Sequence, residues 1–239
     1  MTIKIIKYGG SIVNPDGNFN SNSLTQLINL IKEFSEDKFI FIIGGGKMSR
    51  ILQNNIDKTI SSSIIKDYEN YARDWLGISA SRINAEIVRN KVSKVIKGVH
   101  SELLLNPEIS SLPDNSRIFF SGGWKPGWST DFVSLKFAEF LNVNEVYKVS
   151  DFVQVLDVSP EEIDKNNLDK YSALPKISWD KMIEIVGTSW IPGRNAPLDP
   201  EAAKLGKKMS FNGFKLLIGQ MPELIKMIKK QDFIGTIVE

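Results

Sequence analysis

Cysteine is absent from the 239-residue sequence, which excludes disulfide bonds, thiolate nucleophiles and zinc sites built on cysteine. Histidine occurs once, at His100, in a stretch without other catalytic residue types, and a surface or loop position is its simplest interpretation.

A marked excess of charge is also missing. Thirty basic and 28 acidic side chains leave a net charge of +2, which gives no electrostatic reason to expect nucleic acid or an anionic membrane as a partner. No apolar run approaches the ~20 residues of a membrane span, and the first ten residues lack the apolar core of a signal peptide. We therefore expect a cytoplasmic protein that binds small molecules.

Short apolar runs alternate with amphipathic segments along the chain. The apolar runs predict strands at 3–9, 38–44, 93–99, 117–123, 145–152, 214–219 and 234–239. The amphipathic segments predict helices at 23–33, 64–75, 78–90, 131–141, 179–186, 200–209 and 222–229. This alternation is typical of a three-layer α/β/α sandwich with a mostly parallel sheet. Since no low-complexity linker interrupts it, we expect one domain over residues 1–239, with a long loop at 157–176.

Four of the predicted strands end in residues that suit anion binding. The segments are "KYGGS" (7–11), "GGGK" (44–47), "SGGWKPGWSTD" (121–131) and "KVSD" (148–151). Glycines let backbone N–H groups approach an oxyanion closely, and the carboxyl ends of parallel strands meet at one edge of a sheet. One such loop is usually just a tight turn, but four at one edge predict a site for several phosphate groups.

The spacing of these glycines excludes the two common phosphate motifs. A P-loop would need glycine at Phe41 and serine or threonine at Met48, and a dinucleotide fingerprint would need glycine at Ser49. The chain therefore lies outside both of those nucleotide-binding classes.

Taken in order, "KYGGS", "GGGKMSR", "DWLGISASRINA" (74–85) and "GGWKPGWSTD" resemble the amino acid kinase superfamily, most closely its archaeal uridylate kinase branch. "PLDPEAAKL" (197–205) and "FIGTIVE" (233–239) are similar to later motifs of that branch, so the likeness spans the whole chain. The resemblance implies transfer of a phosphoryl group to uridine monophosphate (UMP) from ATP or another nucleoside triphosphate. It also implies Mg²⁺ and a homo-oligomer such as a hexamer.

The same resemblance assigns roles to matching positions. Donor phosphates would contact Lys7, Gly9, Gly10, Ser11, Gly46 and Ser150. The acceptor would contact Gly45, Asp74, Trp124, Lys125, Pro126, Gly127, Trp128, Ser129, Thr130 and Asp131. Lys7 and Arg50 would stabilise the transition state and Asp151 would organise the cations, with no residue assigned as a metal ligand. The N-terminal half would form the acceptor side, and residues from about 145 to 239 the donor side. This charge complement is what in-line transfer between two anions requires.

Several of these residues also have a purely structural interpretation. Lys7 could be a solvated lysine at a strand end, and Arg50 could cap or pair on its own helix. Arg82 and Asn84 suit a helix surface or a subunit interface as well as ligand contact. The two tryptophans of "GGWKPGW" could form a hydrophobic plug or a lid that stacks on a base.

The donor segment "SDFVQVLDVSP" (150–160) departs from the family pattern. Val153 and Gln154 replace the usual Asp-Gly pair, Leu156 replaces a tyrosine and Ser159 replaces an aspartate. Side chains then stand where bare backbone would approach phosphate. Either the donor pocket is rebuilt with a different nucleotide preference, or the chain is a nucleotide-binding or storage protein that transfers poorly. A kinase of another small phosphorylated acceptor is the third possibility.

Overall fold

The computed structural model describes residues 2–59, 66–164, 166–189 and 196–239. Its strands are β1 (Ile3–Tyr8), β2 (Lys38–Ile43), β3 (Val99–Leu103), β4 (Ile118–Ser121), β5 (Glu145–Val149), β6 (Val155–Leu156), β7 (Ala173–Leu174), β8 (Lys176–Ile177), β9 (Lys215–Gly219) and β10 (Gly235–Val238). Its α-helices are α1 (Gly10–Val13), α2 (Ser21–Glu33), α3 (Gly46–Thr59), α4 (Lys66–Ser93), α5 (Thr130–Phe140), α6 (Trp179–Val186), α7 (Pro200–Ser210) and α8 (Leu224–Lys229).

Eight strands form one sheet in the order β3-β4-β2-β1-β5-β9-β10-β8. Every neighbouring pair is parallel except β9 with β10, which run antiparallel. The remaining two strands, β6 and β7, form a small antiparallel ribbon within the predicted loop at 157–176 and just before it. The expectation of a mostly parallel sheet is therefore confirmed, and the carboxyl ends of its central strands lie together at one edge.

Helices cover both faces of the sheet because successive side chains of a strand point to opposite faces. In β2, Ile40 and Ile42 join a core with buried residues of α5, α6 and α7. Phe39, Phe41 and Ile43 join a second core with residues of α2, α4 and α8. The three-layer α/β/α arrangement is thus confirmed, and it explains why β2 is apolar at every position after Lys38.

Short polar side chains begin four of these helices. Asn20 accepts hydrogen bonds from the backbone N–H groups at the start of α2, and Ser129, Ser178 and Asp199 do the same for α5, α6 and α7. Such N-caps satisfy amide groups that have no partner inside the helix. Two of them, Ser129 and Asp199, also lie beside the pocket described below, so the start of each helix is tied to the site.

Two sequence predictions about secondary structure were wrong. The predicted helices 64–75 and 78–90 form the single helix α4, apart from residues 64 and 65, which lie outside the described residues. The strand predicted at 93–99 starts only at Val99, because α4 continues to Ser93 and Gly98 turns the chain with a φ of 75°. No helix in the described ranges, α4 included, is long and apolar enough to cross a membrane.

Candidate functional site

A pocket of about 290 Å³ lies at the carboxyl ends of β1, β2 and β5. Most of the residues predicted for the site line it. They are Lys7, Gly9, Gly10, Ser11, Gly45, Gly46, Arg50, Asp74, Trp128, Ser129, Thr130, Asp131, Ser150 and Asp151. Loops that lie about 140 residues apart in the sequence therefore meet in one cavity. This is the expected arrangement, because ligands of open parallel sheets bind at the carboxyl ends of the strands.

Two lysines share one buried carboxylate at the base of this pocket. Lys7 and Lys148 are paired neighbours in β1 and β5, so both side chains point toward α5. The Asp131 carboxylate lies 2.7 Å from the Lys148 ammonium and 3.3 Å from that of Lys7. Burial alone would raise the pKa of Asp131, but the two ammonium groups outweigh it and hold that pKa below its usual value. Burial lowers the pKa of Lys148, and the Asp131 carboxylate opposes that shift. The three side chains form a buried Lys–Asp–Lys triad.

The organising carboxylate differs from the one assigned from the sequence. Asp151 was expected to organise the cations, yet its side chain is exposed at the pocket rim and has no ion pair among the described residues. Asp131, assigned to the acceptor, contacts both lysines instead. Lys148 was missed as a site residue, although "KVSD" had marked its strand end. The missing signal was that β5 pairs with β1, which aligns Lys148 with Lys7.

The two glycine-rich loops touch each other through their main chains. A Cβ on Gly10 would lie 2.0 Å from the backbone nitrogen of Gly46, and a Cβ on Gly44 would lie 2.5 Å from the nitrogen of Gly10. Gly46 itself has a φ of 60°. Bare backbone is therefore needed here for two loops to meet, as well as for any approach of phosphate.

Two asparagines, Asn14 and Asn84, support the contact between the two glycine-rich loops. Asn14 donates to the side-chain oxygen of Asn84, and Asn84 donates to the carbonyls of Gly44 (2.9 Å) and Gly45 (3.1 Å). Both side chains are buried. A helix surface, a subunit interface or ligand contact was expected for Asn84, but its side chain is instead buried between α4 and the triple-glycine loop, which it holds in place.

Arg50 projects from α3 at the rim of the pocket. Its side chain is exposed, and among the described residues it forms no ion pair or hydrogen bond. No partner of Arg50 is found on the described part of α3, which leaves its charge available to an anion in the pocket.

The loop between β4 and α5 reaches the pocket at Gly123 and again with its second half. Trp128, Ser129, Thr130 and Asp131 line the cavity, and the Trp128 ring stacks on Phe132 at 4.0 Å. The preceding predicted acceptor residues do not line it; these are Trp124, Lys125, Pro126 and Gly127.

The first half of that loop is held against other parts of the protein. The Lys125 ammonium lies 3.7 Å from the centre of the Trp124 ring, which packs on the apolar core. The Gly127 N–H donates to Asp74 Oδ2 at 2.6 Å. Burial raises the pKa of the half-buried Asp74 carboxyl, and this hydrogen bond opposes the shift. Asp74 thus both lines the pocket and holds the loop.

The altered donor segment is anchored to the C-terminal strand. Gln154 donates through Nε2 to the Gly235 carbonyl at 2.9 Å, and the Val155 N–H donates to Thr236 Oγ1 at 2.9 Å. Phe152 lines the pocket, while Val153 is 47% exposed. The glutamine that replaces a family glycine is therefore turned away from the pocket toward β10.

Asp199 is a second buried carboxyl beside the triad. Burial and the negative charge of Asp131 raise its pKa to about 6, although Ser129, a hydrogen-bond partner, opposes the shift. Because the folded chain binds this proton more tightly than the unfolded chain does, ionised Asp199 destabilises the fold above about pH 6.

The variant Asp199→Asn is expected to increase the free energy of unfolding by about 3 kcal/mol at pH 8. Asparagine keeps the N-cap of α7 without the buried charge. The gain should fade as the pH falls from 6 to 4 and vanish only below about pH 3, where aspartate is protonated in both states. Urea denaturation of both proteins at pH 4, 6 and 8 measures this, and a gain that does not vary with pH would contradict it.

No group of three or more side chains in the described residues could hold a metal ion by itself. The pocket still offers hard oxygen donors at its rim, since the Asp151 carboxylate is exposed next to Ser150. Such donors fit a magnesium ion that keeps most of its ligands as water and substrate phosphate.

Comparison with known proteins agrees with this geometry. The sequence profile of the amino acid kinase family matches residues 2–212. Uridylate kinase from Archaeoglobus fulgidus is 24% identical over 236 residues, which are 98% of each chain, and uridylate kinase from Methanocaldococcus jannaschii is 26% identical over 245 positions, again with 98% of each chain covered. The crystal structure of the Archaeoglobus fulgidus enzyme superposes with a TM-score of 0.76 at 21% identity, covering 99% of this chain and all of the other. Since the profile spans most of the sequence and the fold is shared over its whole length, the chain belongs to the amino acid kinase family.

Proposed function

We propose that this protein is a phosphotransferase that converts ATP and UMP to ADP and UDP. The observation that carries the proposal is the Lys7–Asp131–Lys148 triad at the junction of two glycine loops, with the exposed Arg50 at the rim of the same pocket. Such a concentration of cations and bare backbone suits two phosphate-bearing substrates.

The proposed reaction is a direct in-line displacement. An oxygen of the UMP phosphate attacks the γ-phosphorus of ATP, and the bond from that phosphorus to the β–γ bridging oxygen breaks. Lys7 and Lys148 neutralise charge on the transferring group, while Asp131 keeps both ammonium groups in place. Arg50 draws the two anions together, and the backbone amides near Gly9, Gly10 and Gly46 supply further donors. A bound magnesium ion would supply charge neutralisation of the donor phosphates.

The two halves of the chain would divide the substrates within one domain spanning residues 1–239. Gly45, Asp74 and the second half of the β4–α5 loop would bind the acceptor, whereas Ser150 and residues from about 145 onward would bind the donor. In this proposal Trp124, Lys125, Pro126 and Gly127 act indirectly, by holding the loop that carries Trp128. The names of the relatives support UMP as the acceptor.

One observation favours a second candidate, a nucleotide-binding protein with little catalysis. Gln154 is used to anchor its segment to β10, so the donor side is built differently from the family pattern. The lysine triad and Arg50 argue for the enzyme, because a pure binder has no need of cations around a transferring phosphoryl group.

A phosphoryl-transfer assay distinguishes the candidates. Purified protein with Mg²⁺ and γ-labelled ATP is incubated with UMP, CMP, AMP or GMP, and then with GTP as donor. Labelled UDP as the main product supports the proposal, and label in another diphosphate would move the proposal to that acceptor. Tight binding of UMP by calorimetry without transfer from any donor would establish the binder instead.

We also propose a homo-oligomer, since α4 exposes apolar side chains away from the pocket, among them Ile83, which is 48% exposed. Light scattering coupled to size exclusion tests this directly. A mass of 26.9 kDa at micromolar concentration would contradict it.

A further inference from the structure

The main chain of the β4–α5 loop lies directly on helix α4. A Cβ on Gly122 would be 2.9 Å from the backbone nitrogen of Arg82, and a Cβ on Gly123 would be 2.9 Å from the Ile78 side chain. Glycine at both positions therefore permits a backbone contact that side chains would prevent. This contact sets the starting point of the loop that later reaches the pocket.

Consecutive residues of α4 bind both backbone groups of Gly123. Ser81 Oγ accepts the Gly123 N–H at 2.8 Å and donates to the Ile78 carbonyl at 2.7 Å. Arg82 donates through Nε to the Gly123 carbonyl at 2.9 Å and through Nη2 to the Trp124 carbonyl at 2.7 Å. The loop is thus held at two successive carbonyls by a single guanidinium.

No carboxylate among the residues that the structure describes pairs with the charge of Arg82. Within the described ranges it forms no ion pair, and burial lowers its pKa without an opposing acidic group. The centre of the Trp75 ring lies 5.9 Å from the guanidinium carbon. A partly buried guanidinium that binds only carbonyls and an aromatic face contributes directional hydrogen bonds, and lysine cannot reproduce this fork.

We propose that Arg82 is a positioning residue for the phosphoryl acceptor. It fixes the first half of the β4–α5 loop, and the rest of that loop places Trp128 and Thr130 at the pocket. Asp74, which lies nearer the N-terminus of α4, accepts a hydrogen bond from the Gly127 N–H of the same loop. The inference rests on the proposed function for the identity of the acceptor, but not for the contact itself.

Arg82→Lys tests this role, with Arg89→Lys as the matched control. Arg89 lies on the same helix, bonds to Glu86 and Asn90, and does not line the pocket. For Arg82→Lys we expect the KM for UMP to rise about tenfold or more while the KM for ATP stays unchanged, because only the acceptor side is displaced. Amide exchange in a peptide covering 122–128 should accelerate about tenfold, since the loop opens locally. The control should change neither quantity.

Two results would overturn the inference. One is unchanged exchange at 122–128 together with an unchanged KM for UMP. The other is a lower melting temperature with both KM values raised equally, which is the signature of a merely structural arginine. If the wild-type protein transfers phosphate to no nucleotide, the proposed function fails, while the exchange measurement still tests the contact between Arg82 and the loop.

Discussion

Replacing Lys7 with methionine (Lys7→Met) is expected to lower kcat on the order of 10³-fold, because one cation aimed at the transferring group is lost. Methionine keeps most of the aliphatic length, so packing around β1 is retained. Stability should change little, since Asp131 stays paired with Lys148 at 2.7 Å. The loss is therefore expected in the chemical step rather than in folding.

The measurement is steady-state transfer from ATP to UMP, with thermal unfolding of the same samples. Lys4→Met is the matched control, because Lys4 lies in the same strand at the end away from the pocket. It should transfer at the wild-type rate. If Lys7→Met kept more than about a tenth of the wild-type kcat, Lys7 would not be a catalytic residue. Loss of a single transition-state donor lowers kcat about 10²-fold or more.

Gly46→Ala is the substitution expected to damage the pocket most through the backbone. At its φ of 60°, any side chain costs about 1–2 kcal/mol. The new Cβ would also lie 2.0 Å from Asn14 Oδ1 and 2.4 Å from the Gly10 carbonyl oxygen, so both glycine loops must move. We expect a total loss of about 3 kcal/mol or more in the free energy of unfolding, combining strain with overpacking.

Gly213→Ala separates the two contributions. Gly213 also has a positive φ, 77°, but a Cβ there meets no atom within 4 Å. The free energy of unfolding of Gly213→Ala should fall by only about 1–2 kcal/mol, which is the cost of the conformational strain. The variant should keep full transfer activity. Urea denaturation compares the two variants. Equal losses would show that the contact between the loops has no energetic weight, and the explanation for the glycines would then rest on phosphate alone.

Much of the fold could be predicted because its signals are local. The unbroken apolar run of β2 indicated a strand buried on both faces, and the glycines after β1 and β2 marked the edge where the pocket forms. The sequence could place Lys7 and Arg50 at this pocket because Lys7 lies near the end of β1 and Arg50 lies in the helix that follows β2. Local patterns of this kind survive in a single sequence.

The triad could not be predicted because it depends on strand order. Asp131 meets Lys148 only because β5 lies beside β1, with α5 covering both, and no spacing in the chain encodes that neighbourhood. The direction of the Gln154 side chain depends in the same way on β10, because its hydrogen-bond partner Gly235 lies 81 residues further along the chain. Arg82 was visible as a candidate, but its carbonyl partners lie about 40 residues further along.

The strand order also has a consequence for how the protein is made. Residues up to 121 contain β1 to β4, which are neighbours in the sheet order β3-β4-β2-β1 and can pair as they leave the ribosome. In that partial sheet β1 is an open edge until β5 arrives. Asp131 and Lys148 emerge last among the triad, so Lys7 stays without either partner until more than 120 further residues have been made. Chaperone contact during translation is therefore expected at β1, at the strand that later lies in the middle of the finished sheet.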